Sequence, residues 1–174
     1  MTPVRIATGL PGLTLRHAER ADAALVLGFV HRLAAYEKLS HEVVATVADF
    51  ERTLFGERPF AEVVIAELEG APAGFILWFS NYSTFLGKPG IHIEDLFVLP
   101  ELRGRGFGKC LLAYVARLAC SRGWGRVEWS VLDWNAPARR FYESIGAEAK
   151  TEWVLQRLSG AALERLAQAF PVPA

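Results

Sequence analysis

Cysteine is scarce in this chain. Cys110 and Cys120 are the only two in 174 residues, too few for a dense disulfide framework, and no metal-ligand spacing surrounds them. Net charge is absent as well: Lys and Arg total 19, Asp and Glu total 19, and the formal charge is +0. No global field therefore favours DNA, RNA or an anionic membrane. No apolar run approaches the ~18 residues that cross a bilayer. The opening MTPVRIATGLPG lacks the continuous apolar stretch of a signal peptide. Disorder is excluded too, because 52% of the residues are hydrophobic and only 22% are charged. The length suits one domain spanning residues 1–174. The expectation is a soluble, cytoplasmic single domain with no metal, nucleic-acid or membrane partner.

What is present reads as a mixed α/β chain. Residues 13–18 alternate like a half-buried strand. In the stretch that follows, Val26, Phe29, Val30, Leu33 and Tyr36 recur on one helix face. A second helix is expected over 46–56. The runs 62–68 and 73–80 form a hairpin through Glu69-Gly70-Ala71-Pro72, and 81–90 reads as a loop. A strand is expected over 91–98, then a helix carrying Phe107, Leu111, Val115 and Leu118 on one face and closed by Gly123. Residues 126–132 read as a strand. Asn135 caps a short helix that tolerates Pro137 in its first turn. Residues 151–158 read as a last strand and 159–170 as a terminal helix. Trp78, Trp129 and Trp153 have strand spacing and read as core or interface.

Two features stand out chemically. The strand 91–98 carries adjacent carboxylates, Glu94 and Asp95, in an otherwise apolar run, which is costly unless they are paired or reach water. By simple alternation Ile91, Ile93, Asp95 and Phe97 share one face, and His92, Glu94, Leu96 and Val98 the other. The second feature is Arg103-Gly104-Arg105-Gly106-Phe107-Gly108 between a strand and an amphipathic helix. Glycines let a ligand approach the backbone, and the free N–H groups and dipole of a helix start favour an anion. A pyrophosphate suits that site. A Walker-type loop does not match, because Gly108-Lys109 is followed by Cys110 and the four-residue spacer is missing. A dinucleotide fold would place its glycines after the first strand of a βαβ unit. A tight turn without a ligand also accounts for the glycines taken alone.

The Arg103-x-x-Gly106-x-Gly108 turn, together with the later Asn135-Ala136-Pro137-Ala138-Arg139-Arg140-Phe141-Tyr142-Glu143-Ser144-Ile145-Gly146-Ala147, resembles the two motifs of the Gcn5-related N-acetyltransferases (GNAT). Within that family the chain looks most like the diamine (spermidine/spermine) and thialysine acetyltransferase branch. Leu33-Ala34-Ala35-Tyr36-Glu37-Lys38 resembles that branch's first helix end, and Phe55-Gly56-Glu57-Arg58-Pro59-Phe60 its Phe-Gly-x-x-Pro-Phe segment. Ser83-Thr84-Phe85-Leu86-Gly87-Lys88 leads into Ile93-Glu94-Asp95-Leu96-Phe97-Val98 as its substrate loop leads into its central strand. Polyamine-specific members generally carry an acidic residue and a tryptophan where this chain has Ser83 and Phe85. That departure shifts the expected acceptor from a polyamine toward a thialysine- or lysine-like amine.

The resemblance implies a largely antiparallel sheet flanked by helices, with a splayed central strand that binds CoA. It implies acetyl transfer from acetyl-CoA to a primary amine by direct attack on the thioester, in a homodimer and without a metal. Glu94 is the candidate base and Asp95 an amine-recognition or supporting residue. Tyr142 is the candidate acid for the departing sulfur, since a phenol of pKa ~10 is suited to protonating a thiolate. The backbone of Leu96, Phe97 and Val98 is expected to pair with the pantetheine arm, with the Val98 N–H aimed at the thioester oxygen. Arg103, Gly104, Arg105, Gly106, Phe107, Gly108 and Lys109 are expected to hold the pyrophosphate, and Asn135, Ala138 and Tyr142 to contact the cofactor further along. Tyr36, Glu37, Ser83 and Phe85, with Glu94 and Asp95, are expected to line the acceptor site. Two other classes remain: a CoA-binding regulatory domain without turnover, and an acetyltransferase acting on protein or peptide amines. The intact Glu94, Tyr142 and glycine set speaks against the first, and the absence of an appended recognition domain against the second.

Overall fold

The computed structural model describes residues 4–171. Among them, six strands form one sheet in chain order: β1 (Arg5–Ala7), β2 (Leu13–His17), β3 (Glu62–Leu68), β4 (Ala71–Ser83), β5 (Lys88–Val98) and β6 (Val127–Trp129). Every neighbouring pair is antiparallel except β5 and β6, which run parallel. The helices are α1 (Ala23–Glu37), α2 (Val47–Thr53), α3 (Phe107–Ser121), α4 (Ala136–Ser144) and α5 (Gly160–Gln168). The chain divides into two compact units, one ending at Ser130 and the other beginning at Val131. The first holds the whole sheet with α1 to α3, and the second holds α4 and α5. No helix of the described residues is long and apolar enough to cross a membrane.

In the first unit the apolar periodicity of the sequence becomes two packed faces. On one, Val26 and Phe29 of α1 meet Val63, Ile65, Phe75, Leu77 and Phe97 of the sheet. The Phe29 ring stacks on Phe75 at 5.4 Å and tilts against Phe97 at 6.0 Å. On the other, Trp78 meets Tyr114 of α3 edge-on at 6.3 Å, and Leu111 and Val115 are fully buried. The helix face read from Phe107, Leu111 and Val115 is thus the buried face of α3.

A buried ionic network ties the first three strands together. Arg16 donates from Nε to Glu67 at 2.7 Å and from both Nη atoms to Asp22 at 2.7 and 2.8 Å. Glu67 also accepts from Arg5 at 2.9 Å. Burial pushes the Asp22 and Glu67 carboxyls up, but their hydrogen bonds to Arg16 outweigh it and hold both below the usual range.

Several expectations change. The hairpin turn is only Glu69-Gly70, both at positive φ (51° and 84°), a two-residue turn whose twist suits the strands. The expected 81–90 loop is mostly strand: β4 runs to Ser83 and β5 starts at Lys88, with Tyr82 opposite Pro89 and Asn81 opposite Gly90. The expected 126–132 strand contracts to the three residues of β6. Residues 151–158 do not form a strand. In the second unit they are exposed, Trp153 at 73%; a strand-like composition forms a strand only where another strand edge accepts its hydrogen bonds.

Candidate active site

The site begins with an irregularity in β5. Leu77 pairs with Asp95 but the next residue, Trp78, pairs with Ile93, so Glu94 is a surplus residue, a β-bulge. The bulge reverses the alternation expected from the sequence. Ile93 shares a face with Trp78, toward α3, whereas Asp95 and Phe97 share the opposite face with Leu77 and Phe75, toward α1. Ile93 and Asp95 therefore lie on opposite faces. The pairing with β6 covers only Ile91 to Ile93. From Glu94 to Val98 the far edge of β5 has no strand partner among the described residues, which is the splayed strand the resemblance implied. Such an edge can pair with an extended ligand as an added strand would.

Three carboxylates gather where that edge opens. Asp95 is pushed up to about 7 by burial, then by the negative charges of Glu94 and Glu37. Glu37, the last residue of α1, is raised by burial. Glu94 is exposed at the bulge. A protonatable, partly desolvated carboxylate beside two others is well suited to attract an ammonium and to receive a proton from it. Among the described residues no His, Cys, Asp and Glu group is arranged to hold a metal ion.

Tyr36 and Arg103 join this corner to the glycine turn. The Arg103 guanidinium sits 4.6 Å from the Tyr36 ring centre and 5.6 Å from that of Phe97. Its Nε donates to the Val98 carbonyl at 3.1 Å. The Arg103 side chain thus braces the end of β5. Gly104 and Gly106 have φ of 75° and 84°, a region open to glycine and strained for other residues. Gly106 caps α3, and the Cys110 N–H to Gly106 carbonyl bond of 2.9 Å starts the helix. The N–H groups of that first turn, from Phe107 to Lys109, have no intrahelical acceptor by geometry. They fit an anion. Arg105 stacks on Phe107 at 5.1 Å, and Lys109 is exposed. A hollow of about 430 Å³ lined by Ala7 to Thr14 lies in the β1–β2 turn, whose Leu10 borders Gly106; none of the three carboxylates lines it. Burial pushes the Cys110 thiol up, with an opposing contribution from Thr8, so this cysteine is not a poised nucleophile.

In the second unit Asn135 is buried and accepts the Ala138 N–H through Oδ1 at 3.3 Å, capping α4 as the sequence suggested. Tyr142 is half-buried, its ring 5.4 Å from that of Phe141.

Ser83 and Phe85 are not gathered with the carboxylates. Six strand steps along β4 separate Ser83 from Leu77, the partner of Asp95, about 20 Å of strand. The Ser83 hydroxyl accepts the Leu86 N–H at 3.2 Å within the turn, and the Phe85 side chain is almost wholly exposed. Sequence reading passed over Asn81, Arg126 and Glu128, which share the Asp95 face. His92 stacks on Phe79 at 5.0 Å, in line with a structural histidine.

A family model described as the acetyltransferase (GNAT) family matches residues 30–147. The chain is 36% identical to the L-ornithine N5-acetyltransferase of Arabidopsis thaliana, covering 87% of this chain and 86% of that protein. It is 35% identical to the thialysine N-epsilon-acetyltransferase of Bos taurus, covering 88% and 96%. Among solved structures, an integron cassette protein from the mobile metagenome of V. cholerae superposes with a TM-score of 0.76 at 23% identity, covering 91% of this chain and 99% of that one. That likeness is one of fold.

Proposed function

This chain belongs to the acetyltransferase (GNAT) family and is an N-acetyltransferase, and we propose that it moves the acetyl group of acetyl-CoA to the side-chain amine of a small basic amino acid of the lysine, thialysine or ornithine type. Diamines are the related second class. The observation that carries this reading is the convergence of Glu37, Glu94 and Asp95 at the point where β5 loses its parallel neighbour. A cation site lies beside an edge built for an extended ligand. The similarity to enzymes named for ornithine and thialysine supports a compact amine.

The residues present fit the cosubstrate. The open Glu94–Val98 edge offers main-chain groups to an extended arm, and Gly104, Gly106 and the first turn of α3 offer unpaired N–H groups to a pyrophosphate. The bound thioester supplies an activated acyl carbon. Asp95 and Glu37 draw in the acceptor as an ammonium, and Glu94 takes one proton from it, directly or through water. The freed nitrogen bonds to the acyl carbon as the carbon–sulfur bond breaks. The Val98 N–H stabilises the oxygen where charge develops, and Tyr142 protonates the leaving thiolate. Asn135 and Ala138 line the arm.

The reading includes a homodimer in which a second copy covers the exposed apolar run within residues 151–158, where Trp153, Val154 and Leu155 are each more than 70% exposed. Light scattering that finds a monomer at micromolar concentration removes that part. The main test is CoA release from acetyl-CoA with lysine, thialysine, ornithine, putrescine, spermidine and a lysine peptide, each product identified by mass. Acetylation of the amino acids supports the proposal, and turnover confined to the peptide replaces it with a protein-directed enzyme.

A further inference from the structure

Along the same face of the sheet, beyond Asp95, lies a second polar cluster that the roles above leave unused. Leu77 pairs with Asp95, Phe79 with His92 and Asn81 with Gly90, while His92 pairs across β5 with Glu128. Because the bulge removes Glu94 from the alternation, all of these positions share the Asp95 face. The Asn81 amide donates to Glu128 Oε1. Arg126 Nη2 donates to the same oxygen at 3.2 Å, and its Nε lies 3.1 Å from Oε2. Asn81 Oδ1 is buried and has no hydrogen-bond partner. Gly90 makes room for the cluster, since a Cβ there would lie 2.6 Å from Asn81 Oδ1 and 2.9 Å from Arg126 Cγ.

We propose that Asn81, Arg126 and Glu128 form a headgroup subsite that selects α-amino acid acceptors over plain diamines, an inference that rests on the function proposed above. An α-amino acid presents an ammonium and a carboxylate on one carbon. Glu128, held by the Asn81 amide, receives the ammonium, and the Arg126 guanidinium receives the carboxylate. The Arg126–Glu128 pair can open to do this: both side chains are partly exposed, at 38% and 43%, and such pairs hold together weakly. The stacked Phe79 and His92 rings between the two clusters give the methylene stem a flat surface. With Asp95 about two strand steps along β5 from His92, and Glu128 one strand over, the two Cα positions are about 8 Å apart. The four-carbon stem of a lysine bridges that separation, delivering its side-chain amine to Asp95 and Glu94. A diamine has no carboxylate for Arg126 and gains nothing from it.

Lysine and ornithine differ from cadaverine and putrescine only by that carboxylate, so the pairs isolate its recognition. The experiment measures kcat/KM for all four with the wild-type chain, Arg126→Met, Arg126→Lys and Glu128→Gln, each checked for native circular dichroism and unchanged acetyl-CoA affinity. Wild type is expected to favour each amino acid over its diamine by about tenfold or more. Arg126→Met abolishes that preference by lowering the amino-acid values while the diamine values hold or rise, since Glu128 loses its paired cation, and Arg126→Lys restores part of it. Glu128→Gln raises KM for all four, with kcat little changed. A preference that survives Arg126→Met, or is absent in wild type, overturns the subsite while leaving the function standing. No turnover with any of the four, acetyl-CoA still binding, overturns the function and the subsite together.

Discussion

The Arg103 guanidinium lies over the Tyr36 ring at 4.6 Å while its Nε holds the Val98 carbonyl at 3.1 Å. The end of α1 is therefore in direct contact with the first residue of the glycine turn. A cation over an aromatic face contributes about 0.5–1 kcal/mol at a partly exposed position. Removing the ring should weaken acetyl-CoA binding by roughly two- to fivefold, although the proposed role of Tyr36 is in the acceptor wall. Tyr36→Phe keeps the ring and should leave that affinity unchanged, whereas Tyr36→Ala should lower it. Titration calorimetry with CoA separates the two variants. Equal affinities would show that the stacked ring contributes nothing to the turn.

Asp95 sets a pH dependence with opposite signs for activity and stability. Its carboxyl is pushed up to about 7 by burial and by Glu94 and Glu37, against ~3.9 in an unfolded chain. The folded state therefore binds more protons between those values, and stability falls as pH rises from about 4 to about 7, the full cost being present above that. The ionised form attracts the ammonium, so kcat/KM for the amine should rise through pH 7. Asp95→Asn should flatten that limb and make the fold more resistant to urea at pH 8 than wild type, with a much smaller difference at pH 4. A limb near pH 7 that persists in the variant assigns it to another group.

Gly108 distinguishes ligand approach from backbone strain. A Cβ there would meet only Val98 Cγ2, at 4.0 Å, and unlike Gly104 and Gly106 it is not at positive φ. Gly108→Ala should thus fold with unchanged or slightly raised stability, since alanine favours helix over glycine by about 1 kcal/mol. Its CoA affinity should nevertheless fall about tenfold if a pyrophosphate rests on this backbone. Thermal melting with and without CoA reads both quantities in one experiment, and an undiminished CoA-induced shift would move the phosphate site elsewhere.

The Arg16 network predicts where acid weakens the fold. Asp22 and Glu67 have folded pKa values below their unfolded ones. Their contribution is complete above the unfolded value near pH 4 and disappears as pH falls through the lower folded values. Arg16→Ala leaves Glu67, only 4% exposed, without its buried partner and should cost about 3–5 kcal/mol at pH 7. Urea denaturation at pH 7 and pH 3 measures the variant against wild type, and the gap should narrow at the lower pH.

Helix faces and the glycine turn were legible in the sequence because each is a local pattern: the spacing of Phe107, Leu111 and Val115, or two glycines ahead of a helix. What was not legible depends on neighbours. The bulge at Glu94 is set by how β5 meets β4 and by where β6 stops, and it reversed the face assigned to Asp95 relative to Ile93. Pro89 and Gly90 read as loop formers, yet both pair within the sheet, Gly90 beneath the side chains of Asn81 and Arg126. β1 is three residues long, too short to register as a period. Residues 151–158 have the composition of a strand but pair with no strand among the described residues. Glu37, Glu94 and Asp95 were each singled out, but that the charge of Glu37 reaches Asp95 follows only from the position of α1.

A strand with one surplus residue is two alternations spliced out of phase. Ahead of Glu94 the even-numbered positions of β5 share the Asp95 face; after it the odd-numbered ones do. Substitution at His92 changes that face without altering the open Glu94–Val98 backbone edge, whereas Gly90 is held by the close approach of Asn81 and Arg126. A single deletion at Glu94 would bring the halves back into step and exchange the faces of every residue on one side of it. On the proposed function, the splice lets one end of the strand drift toward new amines while the other keeps its hold on a constant donor.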